Sequence, residues 1–162
     1  MKNNNDIKRR WVLAILWMVF IFVMSQVPGE QSSKQSGFII YVFSLFGLDL
    51  NSIWGELANY IIRKGAHFFE YAVLAILIGS LLYSYRYTWM NRIIYALFMV
   101  LLCAILDEYF QSFVDGRNSS VKDILIDFSG AIVGCLFLEL MMITKIKIKS
   151  LFLSKVSSYK KC

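Results

Sequence analysis

Apolar stretches of membrane length set the strongest limit on the fold of this chain. The stretch from Ala66 to Tyr83 is interrupted only by His67, Glu70 and a few small or hydroxylated side chains. A transmembrane helix needs about 20 mostly apolar residues. Of the 162 residues, 58% are hydrophobic and 17% are charged, whereas a soluble domain has about 25% charged residues. The sequence therefore predicts a single-domain, all-α integral membrane protein over residues 1–162.

Four segments are predicted to cross the membrane, and a fifth apolar segment is too short to do so. The spans are Trp11–Val27, Ile61–Tyr85, Arg92–Phe113 and Asp123–Ile143. No small-residue cleavage site follows the first span, so we expect it to be retained. Phe38–Leu50 has about 13 residues, a length typical of a re-entrant or interfacial helix. The basic tail, Lys145–Cys162, has scattered apolar residues and is typical of a membrane-surface segment.

The distribution of basic residues predicts the orientation of these spans. With both termini in the cytoplasm, the outer segments contain only five of the 17 basic residues: Lys34, Arg63, Lys64, Arg117 and Lys122. The other 12 face inward, which agrees with the positive-inside rule, whereas a fifth span would move the basic tail outside. The net charge of +6 lies mostly at the two ends of the chain, which favours anionic lipid headgroups over nucleic acid as a partner.

Polar side chains form one stripe at the start of the second predicted span. Spacings of three, four and seven residues place Arg63, His67, Glu70, Tyr71 and Leu74 on one face of a helix. An ionisable side chain deep in a membrane costs about 2.5–3.5 kcal/mol on insertion scales. This cost indicates that His67 and Glu70 have partners or a function.

The neighbouring spans bring further polar residues to the same side of the membrane. The third span ends at the outer surface, and the fourth span begins there. These two spans and the loop between them contribute Asp107, Glu108, Gln111, Arg117, Asp123 and Asp127, and Lys64 of the second span lies at the same level. Gly130 and Gly134 have the small-xxx-small spacing that lets a neighbouring helix approach closely just below these acids.

This cluster has the residue types of a site that handles protons and anions. Five carboxyl groups and a histidine in a low dielectric cannot all keep their ordinary pKa values, so we assign candidate catalytic roles to His67, Glu70, Asp107, Glu108 and Asp127. Two arginines suit a phosphate or carboxylate group, so we assign candidate substrate-binding roles to Arg63, Lys64, Tyr71, Gln111, Arg117 and Asp123. A divalent cation held by His67, Glu70 and other carboxylates is a further possibility.

Structural roles for the same residues remain open. Arg63 and Lys64 also fit as interface anchors, and His67 as a histidine bonded to a neighbour. The acids of the third and fourth spans also fit as ion-pair partners of Arg63 and Arg117 that hold three helices together. The cysteines have no paired spacing, which favours a packing role over disulfides or zinc.

Three motifs in this order resemble the VanZ-like family. They read RKGAHFFEYAVL, LDEYFQSFVDGR and VKDILIDFSGAIVG, and they cover about residues 60–135. All of the candidate residues above, together with Gly130, match the family pattern. The family comprises small membrane proteins of mainly Gram-positive bacteria and is named for a teicoplanin-resistance protein. The resemblance implies a link to glycopeptide or lipoglycopeptide resistance at the cell surface, which is a phenotype more than a reaction.

Three functional hypotheses follow from the residues and the resemblance. In the first, an extracytoplasmic polar pocket binds or acts on a cell-envelope amphiphile, which is a membrane lipid, a lipid-linked cell-wall precursor or the lipoglycopeptide itself, and so lowers antibiotic susceptibility. In the second, the pocket is the active site of an enzyme for a lipid-linked phosphate or cell-wall precursor. The third is a small ion- or proton-coupled transporter, which is weakened because Glu139 is the only acid near the inner end of a span.

The predicted orientation is testable by labelling with a membrane-impermeant thiol reagent. We expect a cysteine in the loop 115–119 to react on intact cells, and a cysteine near Tyr87 to remain unlabelled, because the charge bias places these segments on opposite sides of the membrane. Labelling near Tyr87 together with protection of the loop would reverse the topology.

Overall fold

Six helices and no strand form the part of the chain that the structure, a computed structural model, describes, which is residues 4–55 and 57–159. The helices are α1 (Asn4–Ser25), α2 (Gly29–Leu45), α3 (Leu50–Trp54), α4 (Leu57–Ser84), α5 (Trp89–Gln111) and α6 (Val121–Tyr159). Their bounds fall where the sequence has turn formers. Pro28 precedes α2, and the Asp49 side chain accepts hydrogen bonds from the first backbone amides of α3.

Helix α4 lies at the centre of the bundle and packs against each of the other five helices. The main core joins the α4 residues Tyr71, Leu74 and Ile78 to Val100 of α5 and Ile21 of α1. Small residues line the facing helices, and among these Ala96, Ala104 and Ala131 are fully buried. The predicted stripe of α4 is confirmed at its C-terminal residues, because Tyr71 and Leu74 are buried in this core.

The closest helix contact is made by two glycines of α6 against the backbone of α4. A Cβ atom on Gly130 would overlap the Phe68 carbonyl oxygen, and one on Gly134 would overlap the Ala72 carbonyl oxygen. The predicted small-xxx-small contact is therefore confirmed, with α4 as the partner helix. It lies one turn below the acids of α6.

Within residues 4–55 and 57–159, three helices are long and apolar enough to cross a membrane: α4, α5 and the Val121–Ser150 part of α6. Helices α1 and α2 satisfy the same test only together, as a pair bent by 108°. The all-helical membrane architecture with three to four candidate spans is thus confirmed. The cytoplasmic placement of the termini remains a prediction.

The predicted bounds between the first two spans were wrong. The predicted short helix Phe38–Leu50 does not form as one element: α2 begins at Gly29, includes the polar residues 30–37 and ends at Leu45, and Leu50 begins α3. Ser32, Ser36 and Ile40 recur every four residues and are buried, so one face of α2 packs on the bundle. Whether this helix is re-entrant or interfacial remains a prediction.

The helix that contains the fourth predicted span does not end at Ile143, because α6 continues to Tyr159, and the end of the span itself remains a prediction. No glycine or proline occurs between Cys135 and that residue, so nothing in the sequence stops the helix. At 39 residues, α6 is about 58 Å long, and a bilayer core is about 30 Å thick. The last residues of the predicted tail, 160–162, lie outside the described residues.

A buried ion pair joins α5 and α6 at the end of the bundle where α5 begins. Arg92 Nε and Nη2 donate to Glu139 Oε1 at 2.9 and 2.8 Å, and Nη2 lies 2.5 Å from Oε2. The guanidinium also lies over the Tyr83 ring, 5.2 Å from its centroid. This bidentate pair fixes the register of the two helices.

The two glycine contacts predict a specific stability pattern. Gly130→Ala or Gly134→Ala should lower the melting temperature in detergent, with a cost of about 1–3 kcal/mol, because the new methyl group separates α4 from α6. Gly65→Ala on α4 is the matched control, since its Cβ would meet no atom within 4 Å. Equal melting temperatures for Gly130→Ala and Gly65→Ala would contradict the close contact.

Candidate functional site

The polar residues predicted from the sequence meet at one end of the bundle, which we term the site end. Here α1 and α5 end, and α4 and α6 begin. Helix α2 lies across this end because the chain turns by 108° after α1. The arrangement brings α4, α5 and α6 together as the alternating span directions predicted.

A cavity of about 600 Å³ opens between α4, α2 and the end of α1. We call it the site cavity. Its polar wall includes Arg63, His67 and Glu70 of α4 and Arg117 of the α5–α6 loop, with Lys34, Gln35 and two serines from α2. Its apolar wall is formed by Met24, Phe38, Ile39, Ile62 and Ala66. One cavity therefore offers charged and apolar surfaces side by side.

The α5–α6 loop is tied to the start of α2, which places Arg117 at the site cavity. Gly29 N–H donates to the Asp115 carbonyl at 3.1 Å, and Gly116 adopts a positive φ of 72° against Gly29. Arg117 Nε donates to the Val27 carbonyl at 3.1 Å. Burial, together with the nearby Arg63, lowers the pKa of the Arg117 guanidinium. An anion in the cavity would stabilise both cations.

His67 lies between two carboxyl groups. Its Nδ1 is 3.8 Å from Glu70 Oε2 and 3.9 Å from Asp127 Oδ1, and it is buried with no hydrogen-bond partner in the described part of the chain. Trp17 Nε1 donates to the Glu70 carbonyl at 2.9 Å, which anchors this turn of α4 to α1. An imidazole flanked by two carboxyls is an arrangement that can accept and pass a proton.

Lys64 and Glu108 stabilise the start of α6 and do not line the site cavity. Lys64 Nζ lies 2.6 Å from Asp123 Oδ1, and both side chains are mostly buried. Glu108 Oε2 accepts from the Ser120 N–H at 3.3 Å. These contacts fit structural roles for Lys64, Glu108 and Asp123, which were candidates for binding or catalysis.

Asp107 and Gln111 lie deeper, on the side of α1. Ser25 Oγ donates to Asp107 Oδ2 at 2.7 Å, and Gln111 Nε2 donates to the same oxygen at 3.1 Å. Asp107 Oδ1 is buried without a hydrogen-bond partner among these helices. Asp107 and Tyr71 both line a second, mainly apolar cavity of about 230 Å³ between α1, α4 and α5.

The structure separates the eleven predicted site residues into groups. The site cavity takes Arg63, His67, Glu70 and Arg117, with Asp127 directly behind His67. Lys64, Glu108 and Asp123 anchor the start of α6. Tyr71 and Asp107 line the second cavity, and Gln111 donates a hydrogen bond to Asp107. Within the described residues, no direct ion pair joins Arg63 or Arg117 to the acids, so this structural alternative is not observed.

Sequence reasoning missed several residues of the site. Ser25, the partner of Asp107, and the α2 residues of the cavity wall were not predicted. The repeat of Ser32, Ser36 and Ile40 was a usable signal for a packed face of α2, although it does not reveal the partner helix. The sequence holds no comparable signal for Ser25.

A divalent cation needs several ligand side chains directed at one point. Across residues 4–55 and 57–159, no group of three or more His, Cys, Asp or Glu side chains is arranged to hold a metal ion. His67, Glu70 and Asp127 come nearest in space to the predicted set.

A family model described as VanZ/LLP1 matches residues 10–142, which include helices α2 to α5 completely, most of α1 and the first half of α6. The chain therefore belongs to the VanZ/LLP1 family. No curated protein and no solved structure matches the chain.

The Lys64–Asp123 pair predicts a non-additive effect on stability. Lys64→Met or Asp123→Asn alone should cost about 3–5 kcal/mol, because each leaves a buried charge without its partner, and the double variant should recover much of this loss. Thermal unfolding in detergent measures all three. Glu30→Gln, which breaks the exposed Glu30–Lys34 pair, is the control and should change stability by less than about 1 kcal/mol. Additive single effects would rule out a coupled pair.

Proposed function

We propose that this VanZ/LLP1 family member binds the anionic headgroup of a cell-envelope amphiphile in the site cavity. We further propose that this binding lowers susceptibility to teicoplanin-type glycopeptide and lipoglycopeptide antibiotics. The observation that carries the proposal is the pairing of Arg63 and Arg117 with an apolar wall in one cavity of about 600 Å³.

The charges at the cavity support an anionic ligand. Arg63 Nε is buried and has no hydrogen-bond partner among the described residues, and Arg117 uses its Nε on a backbone carbonyl. Two guanidinium groups without carboxylate partners suit a phosphate or carboxylate, which accepts paired hydrogen bonds. Buried polar atoms left without partners cost free energy, so a ligand that satisfies them gains affinity.

The apolar wall supports an amphiphile over a small soluble anion. Phe38 and Ile39 of α2 and Ile62 of α4 lie beside the cations. A lipid chain leaving the headgroup would contact these side chains and remain out of water. The positive-inside bias favours a site end that faces outward, where glycopeptide antibiotics meet their cell-wall precursor targets.

An enzyme is the second candidate, and the surroundings of His67 favour it. A histidine 3.8 and 3.9 Å from two carboxyl groups is suited to general acid–base work on a bound phosphate ester. We propose His67, Glu70 and Asp127 as its catalytic set, because Asp107 and Glu108 already accept hydrogen bonds from Ser25 and from the Ser120 amide. Incubating the purified protein with a lipid-linked phosphate separates the candidates, because a binder retains one equivalent unchanged whereas an enzyme converts many.

Transport is disfavoured further, since Glu139 is paired with Arg92.

Susceptibility assays test the proposed function. In a teicoplanin-susceptible Gram-positive host, the unmodified protein should raise the inhibitory concentration of teicoplanin. Arg63→Gln, His67→Ala, Glu70→Gln and Asp127→Asn should return it to the level of the host, because each removes a charge or proton-bearing group at the cavity. Arg86→Gln, at the opposite end of the bundle, should retain the effect.

Abundance and melting temperature distinguish a site from a structural network. If the cluster acts on a ligand, the variants remain in the membrane at normal levels while resistance is lost. If the cluster only holds the helices together, each broken pair lowers the free energy of unfolding by about 3–5 kcal/mol. Resistance and protein abundance then fall together with the melting temperature. Folded variants that keep full resistance would refute the assignment of the site.

A further inference from the structure

Basic side chains also converge at the end of the bundle opposite the site end. A cavity of about 390 Å³ between α1, α4 and α6 is lined by Arg10, Lys145 and Lys149, with Ser80 and Tyr83 of α4. A smaller cavity of about 220 Å³ is also lined by Arg10 and Ser80, together with Arg9. We call the two together the basic cavity.

The positive charge of the basic cavity is not balanced by its own lining. No carboxylate is among the lining residues of either cavity. The acid on the nearby turn of α6 is Glu139, and both of its oxygens are engaged by Arg92. Arg9 has an exposed partner, Asp6, whose Oδ1 lies 3.9 Å from Arg9 Nη2. Arg10, Lys145 and Lys149 line the larger cavity without a carboxylate among them and attract an anion to this point.

Arg10 is held in place by Ser80, while its buried Nε donor is unused. Its Nη1 donates to the Ser80 carbonyl at 3.0 Å and contacts Ser80 Oγ, which fixes the guanidinium against α4. Its Nε is buried and has no hydrogen-bond partner among the described residues. A buried donor without a partner is costly, and a phosphate oxygen would satisfy it.

Apolar and aromatic residues beside the basic cavity indicate a position at the level of a membrane surface. Leu138, Met141 and Ile146 line it beside the cations. Trp11 Nε1 donates to the Tyr85 hydroxyl at 2.9 Å at the same end, where Tyr87 and Trp89 are also exposed. Such an aromatic belt is typical of the membrane–water interface.

We infer that the basic cavity binds the phosphodiester headgroup of an anionic phospholipid, with Arg10, Lys145 and Lys149 on the phosphate. The acyl chains lie along Leu138 and Met141. Basic pockets between transmembrane helices are a recognised means of holding such lipids. This site is distinct from the site cavity and does not depend on the function proposed for it.

Lipid titration tests the inference. The purified protein in phosphatidylcholine nanodiscs should be stabilised against heat by added phosphatidylglycerol, and native mass spectrometry should detect the retained anionic lipid. Lys149→Gln should weaken phosphatidylglycerol binding about fivefold, as expected for one cation near a membrane surface, and Arg10→Gln should weaken it further. Lys149 is exposed on α6, so its replacement does not disturb the core. It therefore decides the outcome if Arg10→Gln fails to fold.

The matched control is Lys147→Gln, which removes the same charge from the same helix. Lys147 does not line the basic cavity, so binding should remain within about twofold of the unmodified protein. An equal loss for Lys147→Gln and Lys149→Gln would show diffuse attraction and overturn the site. Equal stabilisation by phosphatidylcholine, or by inorganic phosphate alone, would also overturn it.

Discussion

The backbone contact between α4 and α6 is the constraint on which the site depends. Gly130 and Gly134 admit the carbonyls of Phe68 and Ala72, so the two helices lie closer than any side chain would allow. His67 precedes Phe68 by one residue, and Asp127 lies one turn before Gly130. The distance between the imidazole and this carboxyl is thus set by the packing below them. The site is built on rigid helices, and only Arg117 comes from a loop.

The acids of the cluster have different partners in the structure, which the sequence does not distinguish. Asp123 is paired with Lys64, Glu108 accepts from a loop amide, and Asp107 accepts from Ser25 and Gln111. These contacts satisfy groups that a membrane interior would otherwise penalise. Glu70, His67 and Asp127 form no comparable set of hydrogen bonds among the described residues. The titratable groups without such hydrogen bonds are therefore fewer than those of the whole cluster.

Much of this arrangement follows from the sequence because helical periodicity is a local property. The period of 3.6 residues places Arg63, His67 and Glu70 on one face, and alternating span directions bring α5 and α6 to the same end. The bend of 108° after Pro28 is different, since a turn former marks a break but does not give the direction of the next helix. The role of α2 as a cavity wall therefore required the structure. The same holds for Ser25, because a serine at the end of an apolar helix has many possible partners.

The ion pair between Arg92 and Glu139 bears on how the protein enters the membrane. Each charge, inserted by itself, would add an energetic cost to the insertion of its own helix. Joined at 2.5 to 2.9 Å, the two charges largely cancel. Membrane insertion of α5 is thus favoured when α6 enters with it as a helical hairpin. The two helices and the loop between them, which carries Arg117, then form one unit of membrane insertion.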